Sequence, residues 1–253
     1  MKNDYSKRSM PLNWGVSKSL TTSFYADIQG SGRALNLFAG SNDNRGDVIM
    51  TSGGSAADPL GSFEVSAQNY DLQGTLWVDS YSIDAGADVA LSSTTLRALG
   101  MAVTNKINAG GNISGSSISN AGTEVVGSGN VAMNITSAGA ASVQGNHVEG
   151  QIDADSVIVE AQGDIVATVN AASTAAVKAQ GNVQADVSAD SIVMQAQGDV
   201  AGTVNAINEV AVTVQGNVQS SVTGGSALVD AQGDIEGNID ATDSVSLTAQ
   251  NVR

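Results

Sequence analysis

The chain has 253 residues, a formal net charge of −15, 29 glycines and no cysteine. Disulfides and thiolate zinc sites are therefore excluded. With a single histidine, metal clusters and Ser-His or Cys-His nucleophile systems are excluded too. No run of about 18 apolar residues is present, so no transmembrane helix is expected, and so acidic a chain does not attract nucleic-acid phosphates.

Residues 1–27 read as a basic leader, a flexible or inter-subunit arm. Lys2, Lys7, Arg8 and Lys18 stand there against Asp4. It lacks an apolar h-region and is not a Sec signal peptide. With Met1 native, the simplest compartment is the cytoplasm. Low Lys, abundant Ser, Thr, Asn and Gly, and the acidic bias suit a cell-surface protein equally. Three readings of the leader stand side by side: contact with an anionic membrane surface, contact with the acidic side of a neighbouring subunit, or a solvated tail.

Residues 28–106 read as irregular solenoid coils with two insertions, near 52–62 and 92–106. All aromatic residues of the chain, Tyr5, Trp14, Phe24, Tyr25, Phe38, Phe63, Tyr70, Trp77 and Tyr81, precede residue 82. Leu72, Gly74, Leu76 and Val78 alternate, Val89 follows Leu72 by one coil length (89 − 72 = 17), and Gly46-Asp47-Val48 looks like an earlier anchor. Aromatic-rich ends cap solenoids, and Trp and Tyr are also enriched at interface cores. Trp14, Phe24 and Tyr25 are the candidate contacts for assembly through this end.

Residues 107–253 carry the repeat. The anchors Ile113, Val131, Val148, Ile165, Val183, Val200, Val218, Ile235 and Val252 each follow a Gly- or Gln-containing turn. Their successive differences in number are 18, 17, 17, 18, 17, 18, 17 and 17. So regular a period means one unit stacked on copies of itself. Within a coil, Val183, Ala185, Val187 and Ala189 alternate with Gln184, Asp186 and Ser188. Asp190-Ser191 breaks the pattern, and Ile192, Met194 and Ala196 form a second run. Period-2 alternation predicts strands buried on one face. The variable residue falls between the two runs, so register survives from coil to coil. The fold class is all-β: a parallel β-solenoid of 17–18-residue coils. Without the six-residue subrepeat of left-handed hexapeptide solenoids, the right-handed form is favoured.

Two outer ladders precede the anchors. One reads Asp164, Asn182, Asp199, Asn217, Asp234, Asn251 and the other Gln162, Gln180, Gln197, Gln215, Gln232. Alternating Asp with Asn doubles the spacing of carboxylates that would otherwise stack about 4.8 Å apart. The Gln side chains are expected to hydrogen-bond along the axis. Position two after the anchor is small (Gly150, Ala167, Ala185, Gly202, Ser220, Gly237), which implies a narrow interior. The chain stops in mid-repeat, so the final coil, with Val245, Leu247, Ala249 and Val252, is the candidate axial assembly contact.

No catalytic, cofactor or metal residues emerge. His147 stands alone in a turn that carries one extra residue. The Asp153/Asp155 pair lacks the cleft and aromatics that glycosidase chemistry needs. Gly110-Gly111-Asn112 recurs with the coil and no helix follows it, unlike a phosphate loop. A non-enzymatic role without small-molecule substrate or cofactor is expected.

Val148-Glu149-Gly150-Gln151-Ile152-Asp153-Ala154, followed by Val157-Ile158-Val159, resembles bactofilin repeats, as does Ile235-Glu236-Gly237-Asn238-Ile239-Asp240-Ala241. The likeness covers about residues 107–253. It implies a right-handed solenoid that polymerises end to end into non-polar filaments without a nucleotide, with the chain itself as partner. This chain departs from the family in having only Pro11 and Pro59 and no C-terminal tail. A second, weaker resemblance, through Ala161-Gln162-Gly163-Asp164-Ile165, is to filamentous-haemagglutinin-type adhesins, whose solenoid would be a projecting surface rod.

Overall fold

The computed structural model describes residues 12–16, 22–24, 35–41, 44–45, 47–50 and 53–253. All regular structure among them is β-strand. The chain divides into two compact units, residues 1–121 and 122–253, each a parallel β-solenoid.

In the second unit a coil is two strands joined by a corner. Ile165–Ala171 and Thr174–Ala179 form one such coil. In the next three coils both runs belong to single bent strands, Val183–Ala196, Val200–Val214 and Val218–Ala231. Anchors pair with anchors: Val148 with Ile165, Ile165 with Val183, Val183 with Val200, and Val200 with Val218. Val183, Val187, Val200, Val204, Val212 and Val218 all point inward and are at most 1% exposed, while Gln184 and Asp186 face solvent. Burying such a side chain is worth about 1.5–3 kcal/mol, but only when a neighbouring coil covers it.

The spare residue of the longer coils sits at the corner. Asn170 pairs with Ser188 (188 − 170 = 18), whereas Thr174 pairs with Ser191 (191 − 174 = 17). Ala172-Ser173 therefore absorbs the difference. One turn behaves otherwise. Gln144 pairs with Glu160 and Gly145 with Ala161, so the turn through Asn146 and His147 is one residue short. The sequence reading expected an extra residue in this turn; instead the corner at 138–140 is one residue longer than that at 155–156, which starts the second run one step later and places Gly145 inward.

The position two after the anchor serves two purposes. Ala167, Ala185 and Ser220 are buried there. Gly150, Gly202 and Gly237 instead adopt φ of 128°, 113° and 150°. At Gly202 an added Cβ would collide with the Ala185 carbonyl of the coil below. Glycine is required there by close backbone approach, not by a narrow interior. The ladder is interrupted there without a register shift, Gln184 pairing with Ala201 and Val187 with Val204, and Thr203 N–H donates instead to Asp186 Oδ1 at 3.0 Å. Gln151 does the same to Asn134 Oδ1 at 3.1 Å.

The first unit has longer and unequal coils. Val48 pairs with Tyr70, Tyr70 with Val89 and Val89 with Ile113. The steps along the chain are 70 − 48 = 22, 89 − 70 = 19 and 113 − 89 = 24. Tyr70, not Leu72, is thus the anchor. Leu72 also points inward but pairs with Met50. Sequence spacing alone favoured Leu72 because an aromatic anchor breaks the aliphatic pattern. This interior accommodates rings: Phe63 and Tyr70 lie with centroids 6.1 Å apart.

A second stack in this unit runs through Leu12–Val16, Leu35–Ser41, Leu60–Ala67, Leu76–Ala85 and Asn105–Ala109. The insertion near 52–62 is the exposed segment 55–58, closed by reciprocal Ser55 and Asp58 backbone bonds of 3.0 and 3.2 Å. The one near 92–106 splits in two. A register shift lies opposite Ser114/Ser116, and an exposed loop carries Met101 and Val103.

A buried polar cluster ties this unit together. Tyr81 N–H donates to Asn105 Oδ1 at 2.9 Å, Asn105 Nδ2 donates to Ser119 Oγ at 2.7 Å, and Tyr81 Oη and Ser117 Oγ share a bond of 2.6 Å.

Candidate functional site

Strand Ile239–Thr248 pairs with Val218–Ala231 on one side only among the described residues. Its ladder positions show what the open side exposes. Ala227 and Val229 are buried, yet their register partners Val245 and Leu247 are exposed and half-exposed. Val252 pairs with Ile235; the first is 55% exposed and the second 0%. Ala249 is half-exposed. The four residues Val245, Leu247, Ala249 and Val252 thus lie on one open coil. Beside them Arg253 bonds Glu236 at 2.9 Å and approaches Asp234 at 3.8 Å.

Of the three N-terminal candidates, Trp14 and Phe24 fall on described strands. Trp14 belongs to strand Leu12–Val16 and Phe24 to strand Thr22–Phe24. These strands pair in parallel with Leu35–Ser41 and Val48–Met50. Solenoid pairing therefore starts inside the stretch expected to be a leader arm, because both segments carry the apolar residues a strand needs. Tyr25 and the basic residues Lys2, Lys7, Arg8 and Lys18 lie outside the described residues. Of the other aromatics, Trp77 is half-buried under Arg97, whose guanidinium carbon is 4.9 Å from the ring centroid.

The Asp/Asn ladder has a definite geometry. Asn182 N–H donates to Asp164 Oδ1 at 2.7 Å, Asp199 N–H to Asn182 Oδ1 at 2.9 Å, Asn217 N–H to Asp199 Oδ1 at 2.7 Å, and Asp234 N–H to Asn217 Oδ1 at 2.8 Å. Each side chain thus satisfies the backbone of the next coil. The turn glycines follow from this arrangement: a Cβ on Gly198 would overlap Asn182 Oδ1. The first unit repeats the device where the sequence showed no period. Asp88 N–H donates to Asn69 Oδ1 at 3.1 Å and Asn112 N–H to Asp88 Oδ1 at 2.7 Å. The signal was an Asp or Asn directly before each inward anchor, hidden by unequal coil lengths.

The Gln row does not form the expected amide stack. Its side chains are exposed and make no hydrogen bonds with one another among the described residues. The backbone N–H groups of Gln180 and Gln197 bond Ala161 and Ala179 carbonyls at 3.1 and 3.2 Å, which leaves the amides free in water.

His147 occupies the ladder position before Val148, and its carbonyl accepts Val131 N–H at 2.8 Å. Its Nε2 lies 3.9 Å from Glu149. Among the described residues no three His, Cys, Asp or Glu side chains converge on a metal-sized site. One open depression of about 550 Å³ runs over the first-run face past Glu149, Gly150, Thr168, Asp186 and Gly202. Gly150 and Gly202 leave part of that surface without side chains.

These features define a parallel β-solenoid protein with side-chain-capped turns. Comparison with protein-family models, curated proteins and solved structures returns no match.

One surface feature escaped the sequence reading. In five successive coils the second run holds three consecutive apolar residues, from Val157-Ile158-Val159 to Ala227-Leu228-Val229. The outer two point inward and the middle one faces solvent. A triplet where alternation was expected is the signal that would have revealed it.

Proposed function

We propose that the chain is a non-enzymatic structural protein that assembles end to end by stacking solenoid coils, with a second copy continuing the register of the last coil. The observation that carries this reading is the contrast between Val252, 55% exposed, and its register partner Ile235, 0% exposed. A coil laid on strand Ile239–Thr248 would bury Val245, Leu247 and Val252 and pair the strand's outer backbone groups, as in strand addition. The bactofilin-like repeats support the same reading. No nucleotide, cofactor or nucleic acid enters it, and the basic leader supplies a secondary contact to an anionic membrane. Head-to-tail contacts that do not close give an open filament; a head-to-head joint gives a non-polar one. Electron microscopy of the purified chain tests the reading: linear polymers support it, and dispersed single particles at all salt concentrations sink it. The alternative is a cell-surface adhesin or fibre segment, and the depression past Glu149 and Asp186 favours it as a place for a ligand.

A further inference from the structure

The middle residues of the apolar triplets form one continuous row. Ile158, Ala176, Val193, Ala211 and Leu228 are register partners in succession. Ser142 and Ser246 pair with its two ends. Ile158, Val193 and Leu228 are 48%, 49% and 46% exposed. Such a row on an otherwise acidic, polar surface is a contact waiting for a partner. The first-run face has no counterpart: its outward row reads Glu149, Val166, Gln184, Ala201 and Gln219.

The row is corrugated. Branched residues alternate with alanines, so the ridges recur every two coils, about 10 Å apart. A surface that interdigitates with it must carry the same period, and a second copy of this face does. Direct parallel apposition would set ridge on ridge. Rotation by a half-turn about an axis parallel to the strands, between the coils of Val193 and Ala211, sets ridge in gap. Leu228 then meets Ala176 of the second copy, Val193 meets Ala211, and Ile158 meets Ser246.

A neighbouring row supports that same operation independently. Two positions further along the strands lie Glu160, Lys178, Gln195, Thr213, Asp230 and Thr248, again in register. Lys178 is the sole Lys or Arg between residues 107 and 252. The half-turn places it against Asp230 of the second copy, and Asp230 against the other Lys178. Glu160 faces Thr248, and on the opposite flank Glu209 faces Ser191, so no two carboxylates meet. An isologous contact of this kind uses each pair twice, and its charges fix register more than affinity.

We propose that this face pairs two copies of the chain side by side in opposite directions, a lateral contact separate from end-to-end stacking. The native chain contains no cysteine, which allows a direct test. Full-length Lys178→Cys and Asp230→Cys variants are oxidised separately and as an equimolar mixture. Covalent dimers are expected in the mixture only. In the proposed pair each residue lies about three coils, roughly 14 Å, from its own copy, too far for a disulfide. Absence of dimers in the mixture, or equal amounts from Lys178→Cys alone, overturns the proposal, provided that the β signal in circular dichroism is unchanged. As a second measurement, dimerisation is followed by sedimentation in a Leu247→Lys/Val252→Lys background, so that axial contacts do not contribute. Val193→Glu and Lys178→Glu should each weaken dimers by about tenfold or more, and Lys178→Glu/Asp230→Lys should recover them. If the doubly exchanged chain stays as weak as the single variant, or if the chain remains monomeric and binds phosphatidylcholine vesicles instead, the face is not a self-pairing surface.

Discussion

Asp199 Oδ1 accepts the backbone N–H of Asn217, one coil further on, at 2.7 Å. The same bond recurs from Asp164 to Asp234 with Asp and Asn alternating. What the bond requires is an oxygen acceptor at that height, and both side chains supply one. Alternation therefore spaces the charges without breaking the chain of acceptors.

This makes a paired test. Asp199→Ala removes the acceptor and should destabilise the chain by about 1 kcal/mol. Asp199→Asn keeps it and should stay within about 0.5 kcal/mol of the native chain. Urea unfolding measures both, and equal losses would mean that charge, not hydrogen bonding, is what the ladder uses.

Gly202 sits at φ 113° against the Ala185 carbonyl. Gly202→Ala should cost about 2–3 kcal/mol, since the methyl group meets backbone and the conformation is strained for any L side chain. Ala201→Ser, on the adjacent outward position, should be near neutral. A thermal melt that ranks the two the other way would refute the close-approach argument.

Asn105 is fully buried and accepts Tyr81 N–H while donating to Ser119. Asn105→Ala removes that acceptor inside the protein and leaves a cavity, so a loss of about 2–3 kcal/mol is expected. Hydrogen exchange should locate the loosening in the first unit. Uniform exchange across both units would contradict a local role.

Burial raises the Tyr70 phenol above its ordinary value, and the charge of Asp71 adds to this. The folded form resists ionisation that the unfolded chain undergoes near about pH 10. Stability from this group is therefore complete below about pH 10 and declines as pH rises above it. Tyr70→Phe should remove that decline, at the expense of the weak contact to Met50 Sδ at 3.9 Å. Identical alkaline unfolding profiles for the two chains would show that another group controls the transition.

Leu247→Lys with Val252→Lys places two charges on the open coil. Because both positions are already partly exposed, the folded chain should unfold within about 1 kcal/mol of the native one, whereas linear polymers should disappear in electron micrographs. Unchanged polymers would move the joint elsewhere, with the lateral apolar row of Ile158, Val193 and Leu228 as the next surface to test.

The alternation of Val183, Ala185 and Val187 with Gln184 and Asp186 was enough to assign inward and outward faces. Comparison of the two runs placed the spare residue of the longer coils between them, and the register pairs locate it at the Ala172-Ser173 corner. Both properties are written into each coil, because a strand's period of two and a stack's period of one coil are local and repeated. Relations between coils of unequal length are not local. Tyr70 as the partner of Val48 and Val89, and Asn69 and Asp88 as ladder acceptors, emerge only when three different step lengths are brought into register. The ladder gap at Gly202 and the corrugated row from Ile158 to Leu228 likewise depend on which atom of one coil lies above which atom of the next. That height is decided by the stacked backbone, where one carbonyl or one methyl group leaves no room for another.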